Sequence, residues 1–268
     1  MDPRTIEKYE RESKEKNRES WYLAFIMDTS EEERAKGKTV ECGRGQFETE
    51  TKRYSIIDAP GHKSFVPNMI SGASQAEVGV LVISARKGEF ETGFEKGGQT
   101  REHAMLAKTL GVKNLIIVIN KMDDPTVDWS KERYDECKTK LTPFLKQCGY
   151  QKGDVTFVPV SGLQGHNIKD PVDSVKVPLS SWHDGKTLLG VLDGLKKVDR
   201  DSSGPVRMPV TDRFKDGGLN VMGKVRPPSS SLFALNCLPS TNTVSMPRGS
   251  SRVGAWLSVT LLSSCPIR

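Results

Sequence analysis

Four short β-branched runs recur through the middle of the chain: RYSIID (53–58), VGVLVISA (78–85), NLIIVIN (114–120) and VTFVPVS (155–161), with helix-length segments between them. This rhythm constrains the fold more than any other feature, because strands separated by helices pair in parallel within one sheet. The second and third runs are continuously apolar, as strands covered on both faces are. The segments FVPNMISGASQA, GGQTREHAMLAKTLG and SKERYDECKTKLTPFLKQCG read as helices. The last opens on Ser130 as N-cap, with Arg133 rather than Glu three residues on, and closes on Gly149. The predicted class is α/β with a mostly parallel sheet. In such sheets ligands bind at the loops beyond the carboxyl ends of the strands, and Asp58, Asn120 and Ser161 stand at three of these ends.

A chain of 268 residues, 35% hydrophobic and 28% charged, holds one or two domains and can bury a core. No apolar run approaches a membrane span, and MDPRTIEKYERESKEKNRES is not a signal peptide. The five cysteines show neither CxxC pairing nor zinc spacing, so a reducing, cytoplasmic location is expected. The net charge of +6 is unevenly spread: residues 1–200 hold 32 Lys/Arg against 31 Asp/Glu, and residues 201–268 hold 8 against 3. That distribution gives no reason to expect sequence-specific nucleic-acid reading or a membrane partner.

The chemistry gathers at the strand ends. NKMD (Asn120, Lys121, Asp123) follows a buried strand directly. An ionised carboxylate only accepts, so Asp123 can take two adjacent N–H donors such as those on the edge of guanine, where adenine would leave the charge unpaired. Asn120 can brace the loop or the base, and the Lys121 stem can lie along the ring face. The bland alternative, a polar turn, loses ground because the motif sits at a hydrophobic strand end. SGL (Ser161, Gly162, Leu163) comes one strand later, where its backbone N–H groups can meet a base carbonyl; alone it would be an ordinary turn.

DAPGH (58–62) places an acid, a glycine and a histidine at one strand end. Asp58 can hold Mg²⁺ through water. Gly61 lets its backbone approach a γ-phosphate, and His62 can orient an attacking water. A Pro-Gly turn with an exposed histidine is the alternative, and the combination argues against it. Upstream, in EEERAKGKTVE (31–41), Thr39 can give its hydroxyl to Mg²⁺ and its N–H to the γ-phosphate, although composition alone would favour a solvated loop. VECGRGQFETE, which follows, reads as an edge strand.

RAKGKTVE, DAPGH, NKMD and SGL in this order resemble the translational GTPase superfamily. ISARKGEFETGFEKGGQTREHAMLAKTLGV and MDDPTVDWSKERYDECKTKLTPFLKQCGY narrow the resemblance to the eukaryotic class-II polypeptide chain release factor. The ribosome-rescue paralogue and elongation factor 1-alpha share GQTREH but usually differ across ISARKGEFETGFEKGG. The match runs from about Arg4 to about Val225. It implies a P-loop-type G domain over residues 1–199, and it makes residues 204–225 the opening of a β-barrel second domain. It also implies GTP and GDP as ligands with Mg²⁺, and GTP hydrolysis on the ribosome together with the class-I release factor. On this pattern Thr39 and Asp58 serve the Mg²⁺–phosphate switch, His62 positions water beside Gly61, Asn120, Lys121 and Asp123 read guanine, and Ser161 to Leu163 support the base.

Two departures from the family pattern carry expectations of their own. A phosphate-binding loop needs G-x-x-x-x-G-K-[ST]. GKT occurs at 37–39 and 185–187, but Glu32 and Ser180 stand where the first glycine belongs. In the family that loop follows a central strand lying upstream of the matched segment. Without it two neighbouring strands are expected to lack partners, nucleotide binding is expected to be weak, and a non-hydrolysing binding fragment is the alternative reading. After Val225, residues 226–268 are Ser-, Pro- and Arg-rich with no acid, and they are expected to be disordered or to derive from an altered reading frame.

Overall fold

A computed structural model of the chain describes residues 3–15, 19–28, 30–95, 97–172, 182, 183, 185–196, 210–215, 219–223 and 256–263. Each predicted β-branched run becomes a strand. These are β2 (Arg53–Ala59), β3 (Val78–Ser84), β4 (Asn114–Asn120) and β5 (Val155–Pro159), with β1 (Gly43–Glu48) paired antiparallel to β2 at the sheet edge as expected. Along β3 and β4 the side chains alternate between two cores. Val78, Val80, Ile116 and Val118 face one, and Leu81, Ile83, Leu115, Ile117 and Ile119 face the other. That is why the runs are continuously apolar: neither face meets water.

The larger core lies under α3 (Val66–Ala73), α4 (Glu89–Phe94), α5 (Gln99–Thr109) and α6 (Lys131–Gln147). The other face is packed by α7 (Leu188–Gly194), whose Leu192 is buried beside Tyr54 and Val158. Ser130 caps α6 as expected, its Oγ accepting from Arg133 N at 3.2 Å. Gly149, just past the helix, has φ 93°, a left-handed conformation that favours glycine. Upstream, α1 (Pro3–Glu15) and a 3₁₀ helix (Glu19–Ile26) precede α2 (Glu31–Lys36). Ser30 and Glu33 form a capping box on α2, and Gly37 at φ 63° ends it. Arg34 ties these pieces together by stacking over Tyr9, 4.8 Å from the ring centroid, and pairing with Glu12 at 3.2 Å.

The principal difference from the sequence reading is β8 (Trp256–Ser263), which lies within the segment expected to be disordered. The six-stranded sheet runs β1-β2-β8-β3-β4-β5, with β8 parallel to β2 on one side and to β3 on the other. The two strands expected to lack partners are therefore paired. The physical reason is visible in WLSVTLLS, which combines apolar and β-branched side chains over the length of a strand, as a segment between two buried strands must. The rest of 226–268 lies outside the described residues.

The end of α7 is fastened to the β1–β2 hairpin. Lys52 Nζ donates to the carbonyls of Leu192, Asp193 and Leu195 at 3.3, 2.8 and 2.6 Å. The Asp193 carboxylate in turn accepts from Thr49, Thr51 and Tyr54 at 2.8, 2.9 and 2.7 Å. A cation at the helix C-terminus and a saturated carboxylate beside it satisfy groups that a helix end leaves open. The chain falls into two units, residues 1–195 with 256–268, and residues 196–255. In the second, β6 (Val210–Lys215) and β7 (Leu219–Gly223) pair antiparallel, inside the stretch read as a barrel opening.

Candidate nucleotide site

Because β2, β3, β4 and β5 run in the same direction, the loops carrying Asp58, Asn120 and Ser161 emerge along one edge of the sheet. Two of them are bolted together by Asn120. Its Oδ1 accepts from the backbone N–H of Lys121 and of Gly162, both at 2.8 Å. Of the two roles the sequence left open, the side chain takes the brace. A Cβ on Gly162 would come within 3.2 Å of that same Oδ1, so the approach suits glycine. Ser161 is fully buried; its N–H donates to His166 O at 3.2 Å and its Oγ accepts from Gln164 N at 3.2 Å. The Ser161 and Gly162 N–H groups are thus committed internally, and Leu163, 61% exposed, is the outward residue of the three.

Lys121 adopts φ 62°, and its ammonium pairs with Glu89 Oε2 at 2.9 Å. Glu89 also accepts from Ser84 Oγ at 2.7 Å and from Arg86 at 3.1 Å, so the ends of β3 and β4 are tied through one carboxylate. The hydrogen bonds and two cations overcome its partial burial and hold its carboxyl below the usual range. Arg86 reaches on to Asp124 at 2.7 Å. Met122 is fully buried beneath the loop, which leaves Asp123 half-buried at the surface edge.

On the other side of the sheet edge, Thr39 Oγ1 donates to Asp28 Oδ1 at 3.0 Å. Glu33 holds the adjoining backbone, accepting from Val40 N at 2.9 Å and Glu41 N at 3.0 Å. Asn68 from α3 donates to Val40 O at 2.7 Å. Burial pushes the Asp58 carboxyl up to about 7, with the charges of Asp28 and Glu33 adding to it. The Thr39 segment and the Asp58 strand end are therefore neighbours in one acidic group. Among the described residues no three His, Cys, Asp or Glu side chains could hold a metal by themselves. Hard oxygen donors carrying unrelieved negative charge still fit a Mg²⁺ that keeps water and takes phosphate oxygens for the rest of its shell.

His62 follows in extended conformation, its Nδ1 accepting from Ser64 N at 3.2 Å and its ring beside Phe65. That contact occupies Nδ1, and Nε2 is the other ring nitrogen. Near Gly61 lies His103 of α5, a buried side chain; burial drives its imidazole down to about 4, so it stays neutral. Glu89, Arg86, Asp28 and His103 escaped the sequence reading. The one available signal was the density of charge in ARKGEFE directly after a buried strand.

The Elongation factor Tu GTP binding domain family matches residues 4–199. The eukaryotic peptide chain release factor GTP-binding subunit of Candida albicans is 59% identical over 225 residues, covering 84% of this chain and 31% of its own length. That of Kluyveromyces lactis is 59% identical over 226 residues, covering 84% and 32%. The chain thus spans about a third of the length of these curated relatives. Among solved structures, Sup35 complexed with GDP aligns with a TM-score of 0.51 at 45% identity, covering 75% of this chain and 46% of that one. The Saccharomyces cerevisiae Ski7 GTPase-like domain, bound to GDP and inorganic phosphate, aligns with a TM-score of 0.62 at 22% identity over 78% and 48%, a likeness of fold. With its sheet, its strand-end motifs and a family match over most of its length, the chain belongs to the elongation factor Tu-type GTP-binding domains of the translational GTPases.

Proposed function

We propose that this chain carries the guanine-nucleotide unit of a translation termination GTPase acting with a class-I release factor on the ribosome. The observation that supports it most is the Asn120 brace, which holds NKMD and SGL side by side at the strand ends with Asp123 at the surface. In this reading Asp123 accepts from guanine, and Lys121 and Leu163 border the base. Asp58 and Thr39 hold Mg²⁺ through water and hydroxyl, the ion supplying charge neutralisation between phosphates. Gly61 offers its N–H to the γ-phosphate, and His62 orients the attacking water through Nε2.

The direct test is nucleotide choice. Asp123→Asn replaces an acceptor-only group with one that also donates, so it should weaken binding of a fluorescent GDP about 10- to 100-fold, the worth of one to two charge-assisted hydrogen bonds. It should bind xanthine nucleotide better than wild type does. Equal GDP affinity for the two proteins would overturn the assignment. Co-purification with a class-I release factor, set against ribosome-rescue and elongation partners, separates the termination reading from its relatives.

One observation favours a second reading, a binding module that does not hydrolyse GTP. The strand between β2 and β3 is β8, and it is followed by SCPIR instead of a Gly-rich loop. Single-turnover hydrolysis by the full chain decides between them: product formation abolished by His62→Ala supports the first reading, and no product with bound nucleotide supports the second.

A further inference from the structure

β8 enters the sheet by a route unlike that of its neighbours. β2 through β5 succeed one another within residues 53–159 and are joined through helices of the same unit. Apart from residues 256–268, that unit is built wholly from residues 1–195, so the walls on either side of β8 form one continuous piece of chain without it. β8 pairs with both walls at once. Val259 lies opposite Ile56 and Val78, Thr260 opposite Ile57 and Gly79, Leu261 opposite Asp58 and Val80, and Leu262 opposite Ala59 and Leu81.

Two features set what such a cleft selects. Its walls present backbone N–H and C=O groups, which recognise any extended chain. Above and below, Tyr54, Val78 and Val80 on one face and Ala59, Leu81 and Ile83 on the other belong to buried cores, so an occupant must be apolar on both faces. VTLL meets that requirement, whereas the Ser-, Pro- and Arg-rich stretches of the tail, such as RPPSSS and PRGSSR, do not.

We propose that the cleft between β2 and β3 is a strand-acceptor site, and that residues 256–263 fill it as an exchangeable donor strand. Recognition rests on backbone pairing and two-sided apolar burial. The site therefore takes a parallel apolar strand whether or not it is covalently continuous with the acceptor. The inference is independent of nucleotide binding.

Hydrogen exchange on the full chain tests it. Amides of 54–59 and 78–82 should exchange slowly, and in the variant Val259→Pro/Leu261→Pro, which removes two ladder donors, at least tenfold faster. A synthetic peptide spanning residues 254–265 should restore the slow rate in that variant. Unchanged exchange in the variant overturns the occupancy of the cleft, and faster exchange that the peptide does not reverse overturns exchangeability. A second measurement leaves the fold intact. Ser55 and Ser258 are register partners, so Ser55→Cys/Ser258→Cys should form a disulfide within one chain under mild oxidation, found by mass spectrometry as one linked peptide pair. Its failure to form overturns the placement.

Discussion

Asn120 commits one carbonyl oxygen to two loops that are 42 residues apart in sequence, beside a backbone bond from Met122 N to Val160 O at 3.3 Å. Asn120→Ala leaves the Lys121 and Gly162 N–H groups without that acceptor, at about 1–3 kcal/mol for each one that water does not reach. Labelled-GDP titration should then show affinity reduced about tenfold or more, with a lower melting temperature. Asp58 makes a prediction in pH. Its carboxyl is raised from 3.8 to about 7, so between those values the folded chain holds a proton that the unfolded chain has released. The resulting stability is full below 3.8 and lost as pH rises through 7. Asp58→Asn should flatten that slope in thermal melts and melt above wild type at about pH 8; an unchanged slope would show that Asp58 is not the group responsible. At this scale the sequence was legible where chemistry sits in contiguous letters, as in DAPGH and NKMD. It was silent on Glu89 and His103, whose neighbours Lys121 and Gly61 are distant in the chain and meet them only after folding.

Among the elements, α6 depends on a buried cation. The Arg133 side chain, 5% exposed, donates to Ala85 O at 2.7 Å and Arg86 O at 3.2 Å, and pairs with Glu91 at 2.9 Å and Glu136 at 2.7 Å. It therefore joins α6 to the end of β3 and to α4. Removing one partner of a buried ion pair costs about 3–5 kcal/mol, because the other charge and the carbonyls lose their match. Arg133→Leu should lower the urea midpoint by about 1 M or more, given an ordinary m-value. An equal shift from Glu136→Leu, whose carboxylate is largely exposed, would contradict this ranking. The strands and the long helices were readable from periodicity. α4 was not, because its six residues are too few to show a helical period, and β8 was not, because its apolar run is masked by the polar tail around it.

For the whole molecule, ligand linkage offers the broadest test. A nucleotide that binds only the folded chain stabilises it by about 2.7 kcal/mol at a hundredfold excess over its Kd. GDP with Mg²⁺ should therefore raise the melting temperature by several degrees, with no response to adenine nucleotides. The family and the layered α/β plan were legible because the matched segment is long and its motifs stand at strand ends. The completion of the sheet was not, since it depends on a strand that arrives from the far end of the chain.

The Lys52–Asp193 fastening has a mechanical consequence. A load transmitted along the chain at Leu195 passes through it into the β1–β2 hairpin. Tyr54, which it grips, and Asp58 lie on the same strand, separated by roughly 13 Å at about 3.3 Å per residue. Tension applied at that exit is thus delivered, along a stiff rod, to a residue that the proposed site places beside its metal.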